Sequence, residues 1–229
     1  MVSILSIETS TASCSVAVHL DGELVALSEL AERGAHAERL MLLVEEVVEK
    51  AEVGFRDLDA IAVSEGPGSY TGLRIGVSTA KGLAFGLNKP LIGVNTLQAL
   101  ASAVELKKGE LLIPVLDARR MEVFREVFDW QLNSVAKLDA EVLAEISFEN
   151  FLKDHRVYFL GDAVDKVESV VKHANATFVY GLTFSARYMG KIAFGKYQKR
   201  RFEDLAYFVP NYLKEFKALH SKKNPLLSL

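Results

Sequence analysis

Ile4-Leu5-Ser6-Ile7-Glu8-Thr9-Ser10-Thr11 is an apolar run that ends in a carboxylate and breaks into a short polar turn. The same pattern returns as Leu111-Leu112-Ile113-Pro114-Val115-Leu116-Asp117, followed by Ala118-Arg119-Arg120. The elements downstream of each run also repeat. After the first come a returning strand from Cys14 to His19, an Asp21-Gly22 turn, a third strand from Glu23 to Leu30, a helix from about His36 to Ala51 and a strand at Ala60-Ile61-Ala62-Val63. After the second come Met121 to Phe128, a strand-like stretch near Gln131 to Leu138, a short helix near Phe148 to Lys153, the strand Val157-Tyr158-Phe159-Leu160 and Gly161-Asp162. Hairpin spacing and period-two alternation mark each opening as a meander, and the helix then returns the chain to a parallel strand.

A meander whose first strand ends in an acid, then a helix and a parallel strand, is the layout of a ribonuclease H-like lobe. Two such lobes in tandem resemble the actin, hexokinase and heat-shock ATPase superfamily, an α/β architecture. The expected domains are 1–110, a full N-terminal lobe, and 111–229, a reduced second lobe with a basic C-terminal helical region. In that superfamily the hairpin turns touch phosphates and the acids hold a metal through water. The resemblance therefore points to phosphate near Thr9 to Thr11, against the simpler reading in which Glu8 only ends a strand and caps its turn.

A second motif, Gly66-Pro67-Gly68-Ser69-Tyr70-Thr71-Gly72-Leu73-Arg74-Ile75-Gly76, joins the strand at Ala60 to a helix. Gly66 and Gly68 permit positive φ, Ser69 or Thr71 can cap the first turn, and free N–H groups at a helix start attract anions. Gly66, Gly68, Ser69, Thr71 and Gly72 are thus candidate phosphate contacts, balanced evenly against a loop that only turns the chain. No Gly-Lys-Ser/Thr comes after it, so this is not a P-loop, and no Gly-x-Ser-x-Gly nucleophile elbow occurs.

Composition narrows the function classes. Half of the 229 residues are hydrophobic, enough for a sizeable core. No run approaches the roughly 18 apolar residues of a membrane span. The N-terminus lacks a basic region ahead of its apolar run, which argues against a secretory signal. One cysteine, Cys14, sits in strand alternation as a small buried hydrophobe, and the expectation is a cytoplasmic protein without disulfides. The net charge of −3 is uneven: residues 1–110 carry 9 Lys/Arg against 15 Asp/Glu, whereas from Arg187 onward there are 10 basic and 3 acidic residues. A chain this acidic overall is expected to meet nucleic acid only weakly or indirectly; the late basic run reads first as a solvated helix face, and alternatively as a contact for phosphate backbone or an acidic partner.

Together, Ile4 to Thr11, Gly66 to Gly76, Ala80-Lys81, Pro90-Leu91-Ile92-Gly93-Val94-Asn95 and Asp117-Ala118-Arg119 resemble the TsaB (YeaZ) family over nearly the whole chain. Glu8 stands where that family usually has Asp. The family consists of non-catalytic paralogues of TsaD, which transfers a threonylcarbamoyl group to a tRNA adenosine. The catalytic paralogue has two histidines four residues apart after its Val-Asn; here Val94-Asn95-Thr96-Leu97-Gln98-Ala99-Leu100 puts Thr96 and Leu100 at those places. None of His19, His36, His155, His173 or His220 has another histidine three to five residues away. Hence no metal site and no catalytic residue are expected.

If function lies on surfaces, two helices carry the signal. At about 100° per residue, Leu73, Val77, Ala80, Leu83 and Ala84 form the core stripe of the helix after the glycine loop. Its opposite face holds Thr71, Ile75, Ser78, Gly82, Phe85 and Gly86, with Arg74 and Lys81 on one flank. A helix without a charged face is covered on both sides, by the second lobe or by a partner. In the earlier helix Met41 and Val48 widen the core stripe, and Leu42 projects among Glu45, Glu46 and Glu49. The resemblance implies that these two helices contact TsaD, or a second copy in a homodimer, with Met41, Leu42, Val48, Ile75, Ser78, Gly82 and Phe85 at the interface. It further implies TsaE as a partner, TsaC upstream, no required cofactor, and ATP or ADP at the partner interface as an open point. The competing readings are a stand-alone ATPase of the superfamily and a glycoprotease-type peptidase, both of which would turn over substrate alone.

Overall fold

The computed structural model describes residues 1–30 and 36–213. The repeat is realised as two five-stranded sheets of identical order and sense. In the first, β1 (Ser3–Glu8), β2 (Cys14–Leu20) and β3 (Glu23–Leu30) form the meander, and β4 (Ala60–Gly66) and β5 (Leu91–Asn95) add in parallel, giving the order β3-β2-β1-β4-β5. In the second, β6 (Leu111–Asp117), β7 (Glu122–Phe128) and β8 (Ser134–Val142) repeat the meander, with β9 (Val157–Leu160) and β10 (Ala176–Val179) parallel, in the order β10-β9-β6-β7-β8.

Every residue of β1 is buried because the first sheet is covered on both faces. Leu5 and Ile7 meet α1 (His36–Lys50) and α2 (Tyr70–Leu87) in one cluster with Leu40, Val44, Val47, Val77 and Ala80. On the opposite face, Ile4 joins Ala62, Ile92 and Val94 against Ala186, Met189 and Ala193. The second lobe is the smaller one: α4 (Glu149–Leu152) and α5 (Val164–Val170) stand where the first lobe has helices of 15 and 18 residues. Between the lobes, α3 (Thr96–Ala101) buries Leu97 and Leu100 against Leu112, Leu116, Phe124 and Phe128.

Two expectations shift. The third strand of the second lobe begins at Ser134, because the Asp129 carboxylate accepts from Gln131 N at 2.8 Å and Asn133 N at 2.9 Å and holds Gln131 in the preceding turn. The second unit also does not keep its last described helix. Ala186–Tyr188 and α6 (Gly190–Gln198) cross back and supply the second cover of the first sheet, so packing assigns this stretch of 111–229 to the N-terminal lobe. Residues 214–229 of the expected basic helical region, and His220 with them, lie outside the described residues.

Candidate partner-binding face

The glycine loop is used by the chain itself. Ser69 is the N-cap of α2, its Oγ accepting from Gly72 N at 3.3 Å, while Ser69 N donates to Ser10 O at 2.6 Å. Thr9 Oγ1 donates to the Gly72 carbonyl at 2.9 Å. A Cβ on Gly72 would stand 2.1 Å from Thr9 O, and one on Gly76 2.1 Å from Thr9 Oγ1. Gly66 has the positive φ expected of it, 109°. Gly68 does not; it is glycine because a Cβ there would fall 2.5 Å from both Ser10 O and Ser10 Cβ. Of the candidate phosphate contacts, Ser69 and Thr71 are exposed, whereas Gly66 and Gly72 are buried.

The two hairpin acids are likewise occupied within the chain. Glu8 is buried, its Oε1 accepting from Ser10 N at 2.6 Å, and desolvation raises its pKa above the usual carboxylate range. Asp117 Oδ1 accepts from Arg119 N at 2.6 Å, repeating the same local geometry, and pairs with Lys166 Nζ at 2.5 Å. Partial burial opposes ionisation of Asp117, but the Lys166 ammonium and the Arg119 N–H outweigh it and hold its pKa low. The side chains of Thr96 and Leu100 are fully buried at the start and the inner face of α3, with Asn95 Oδ1 capping that helix from Leu97 N and Gln98 N.

Among the described residues, the outer surface of α1 and α2 is left uncovered. Met41 is 41% exposed, Leu42 50% and Phe85 80%. Ser78 and Gly82 are exposed, and added Cβ atoms at Gly82 and Gly86 would meet nothing within 4 Å. Phe85 therefore stands as an apolar knob beside glycines that leave room for a close approach. Two residues of the expected face turn inward. Val48 is buried in the first core, because α1 lies on the sheet with positions 40, 44, 47 and 48 all facing it. Ile75 is half-buried and packs against the same cluster.

The structure adds a strap that the residue pattern did not single out. Lys81 Nζ, on the flank of α2, donates to the carbonyls of Ala206 at 3.3 Å and Phe208 at 3.2 Å, and Asn211 N donates to Glu65 O at 2.7 Å. The strap leaves Tyr207 83% and Val209 68% exposed beside α2, and Tyr212 packs on Tyr70 with ring centroids 4.8 Å apart. Its only sequence signal is the apolar run Leu205-Ala206-Tyr207-Phe208-Val209 within a basic region.

Two tandem lobes with this sheet order define a class of two-lobed α/β proteins. The fold agrees with that of the ADPNP-bound activator of 2-hydroxyisocaproyl-CoA dehydratase from Clostridium difficile, at a TM-score of 0.51 and 11% identity over 87% of this chain and 96% of that one. Within the class, the family described as TsaD, tRNA N6-adenosine threonylcarbamoyltransferase, matches residues 28–223. The chain is 34% identical over 161 residues to the tRNA threonylcarbamoyladenosine biosynthesis protein TsaB of Bacillus subtilis, covering 69% of this chain and 70% of that one. It is 40% identical over 122 residues to the TsaB of Haemophilus influenzae, covering 53% and 51%. The match thus spans about half the length of the latter relative. YeaZ from Pseudomonas aeruginosa superposes with a TM-score of 0.80 at 26% identity, over 93% of this chain and all of that one. The chain belongs to the TsaB (YeaZ) family.

Proposed function

We propose that this chain acts in tRNA threonylcarbamoyladenosine biosynthesis as a non-catalytic scaffold subunit that binds and activates TsaD. Its contribution is to hold TsaD in a competent arrangement through contacts that favour that state. The supporting observation is Phe85, exposed between open glycine positions on a helix whose outer face carries no acid. TsaD is the partner of the α1–α2 face, a second copy of this chain competes for the same face, and TsaE joins the assembly. No cofactor is assigned to this chain alone; ATP or ADP belongs at the interface with TsaD. The working location is the cytoplasm, and no helix among the described residues is long and apolar enough to cross a membrane.

The stand-alone ATPase reading is disfavoured because Glu8 and the glycine loop spend their hydrogen bonds on each other's neighbourhood, through Ser10 and Thr9. The peptidase reading has no nucleophile motif behind it. Reconstituting tRNA modification from the remaining subunits, with and without this chain, and quantifying modified adenosine by mass spectrometry tests the proposal. Modification should require the chain, while the chain alone should hydrolyse neither ATP nor a protein substrate. Full modification without it would end the scaffold reading.

A further inference from the structure

Six basic side chains lie between Arg187 and Arg201, and the fold divides them into two groups. Arg187 pairs with Glu29 at 3.1 Å, Lys191 lies 3.8 Å from Glu23, and Lys196 donates to the Gly93 carbonyl at 2.6 Å. Arg187 and Lys196 tie the returning segment to the first lobe, and Lys191 faces an acid of the same lobe across an exposed gap. Lys199, Arg200 and Arg201 are all exposed and make no ion pair among the described residues.

Their backbone, by contrast, is firmly held. Arg200 N donates to Tyr197 O and Arg201 N to Lys196 O, both at 2.9 Å, the paired bonds that end a helix through a left-handed residue. That residue is Arg200, with φ 51°. Glycine is the usual occupant of this position because a Cβ is disfavoured there. Arg200 thus occupies a position that favours glycine, in the middle of three cations that make no ion pair among the described residues. The next acids are turned to other work. Glu203 Oε1 lies over Gly93, 3.1 Å from where a Cβ would stand, and Asp204 Oδ1 accepts from Ala206 N at 2.8 Å and Tyr207 N at 3.1 Å.

The geometry points to Lys199, Arg200 and Arg201 as a phosphate-backbone contact for RNA, used when the assembly engages its tRNA. This inference rests on the tRNA-modification reading. Phe202, 41% exposed and tilted against Tyr197 at 5.7 Å, follows the cations directly in sequence and is a residue type on which the bases of single-stranded or looped RNA stack. Three cations are fewer than the four to eight that mark binding to an anionic membrane surface. The acidic remainder of the chain makes the contact weak in isolation, so it adds to a partner's RNA affinity.

Two variants test it in the reconstituted assembly: Lys199→Ala/Arg200→Asn/Arg201→Ala, which keeps a residue tolerant of the left-handed conformation, and Arg200→Gly, which relieves it. For the triple variant the tRNA KM should rise roughly tenfold at low salt, kcat should hold, and the slope of log affinity against log salt should shrink by roughly 2 to 3. Arg200→Gly should melt at or above the wild-type temperature yet lose tRNA affinity, a split that a structural role would not give. Unchanged tRNA affinity and salt slope in both variants would overturn the inference. So would loss of co-elution with TsaD, which would assign the cations to a protein contact. Failure of the wild-type chain to co-elute or activate would instead strike the proposed function.

Discussion

Thr9 Oγ1 donates to the carbonyl of Gly72 at 2.9 Å, and this bond ties the first hairpin turn to the first turn of α2 across 63 residues of sequence. The hairpin turn and the glycine loop are thus joined by the chain's own side chain and backbone.

Gly68 and Gly72 should tolerate no side chain, for reasons of space. Gly68→Ala and Gly72→Ala each drive a Cβ to within 2.5 Å of the Thr9–Ser10 backbone. Each should lower stability by about 1–3 kcal/mol, the usual range for overpacking, read as a shift in the urea midpoint. A variant that unfolds at the wild-type midpoint but no longer supports modification would make the loop a ligand site.

The α2 face should separate by residue. Phe85→Glu leaves an 80% exposed position exposed, so its melting should stay within about 0.5 kcal/mol of wild type while binding to TsaD is lost. Ile75→Glu places a carboxylate against the core and should cost roughly 1–3 kcal/mol. Val48→Ala should likewise cost about 1–3 kcal/mol, with binding intact once the protein is folded. Circular dichroism melts and size-exclusion of each variant with TsaD read both effects. A Phe85→Glu chain that still binds and activates TsaD would remove the interface from this face.

Acid should loosen the docking of the returning segment through His19. The ring is fully buried, with Nδ1 3.1 Å from Ser6 Oγ and Nε2 3.4 Å from the Arg187 carbonyl. The carbonyl can only accept, so Nε2 carries the proton and the Ser6 hydroxyl donates to Nδ1. Burial lowers the pKa to about 4, against the weaker upward pull of the Arg187 carbonyl and Glu23. Between pH 6.5 and about 4 the unfolded chain binds the extra proton and the folded one does not, so stability falls as pH drops through that window. The loss should reach about 3 kcal/mol, at 1.36 kcal/mol per pH unit. His19→Gln should flatten the profile of urea midpoint against pH over this range; parallel profiles for the two proteins would refute the assignment.

The strands of the first meander, the first two of the second, the core stripe of α2 and the carboxylate-ended first strands were legible in the chain because each depends on neighbours within a few residues. Period-two runs such as Leu5 and Ile7 must face one side, and the second occurrence of the pattern at Leu111 implies a second lobe of the same order. Periodicity records which side of an element is apolar, and it says nothing of what covers that side. So the burial of Val48, the contact of Gly68 with Ser10, the return of Ala186 to Gln198 to the first sheet and the exposure of Tyr207 on a strap were decided only by tertiary structure. Each depends on groups brought together from distant parts of the chain, whose approach is set by the packing of whole elements and leaves no local trace in the order of residues.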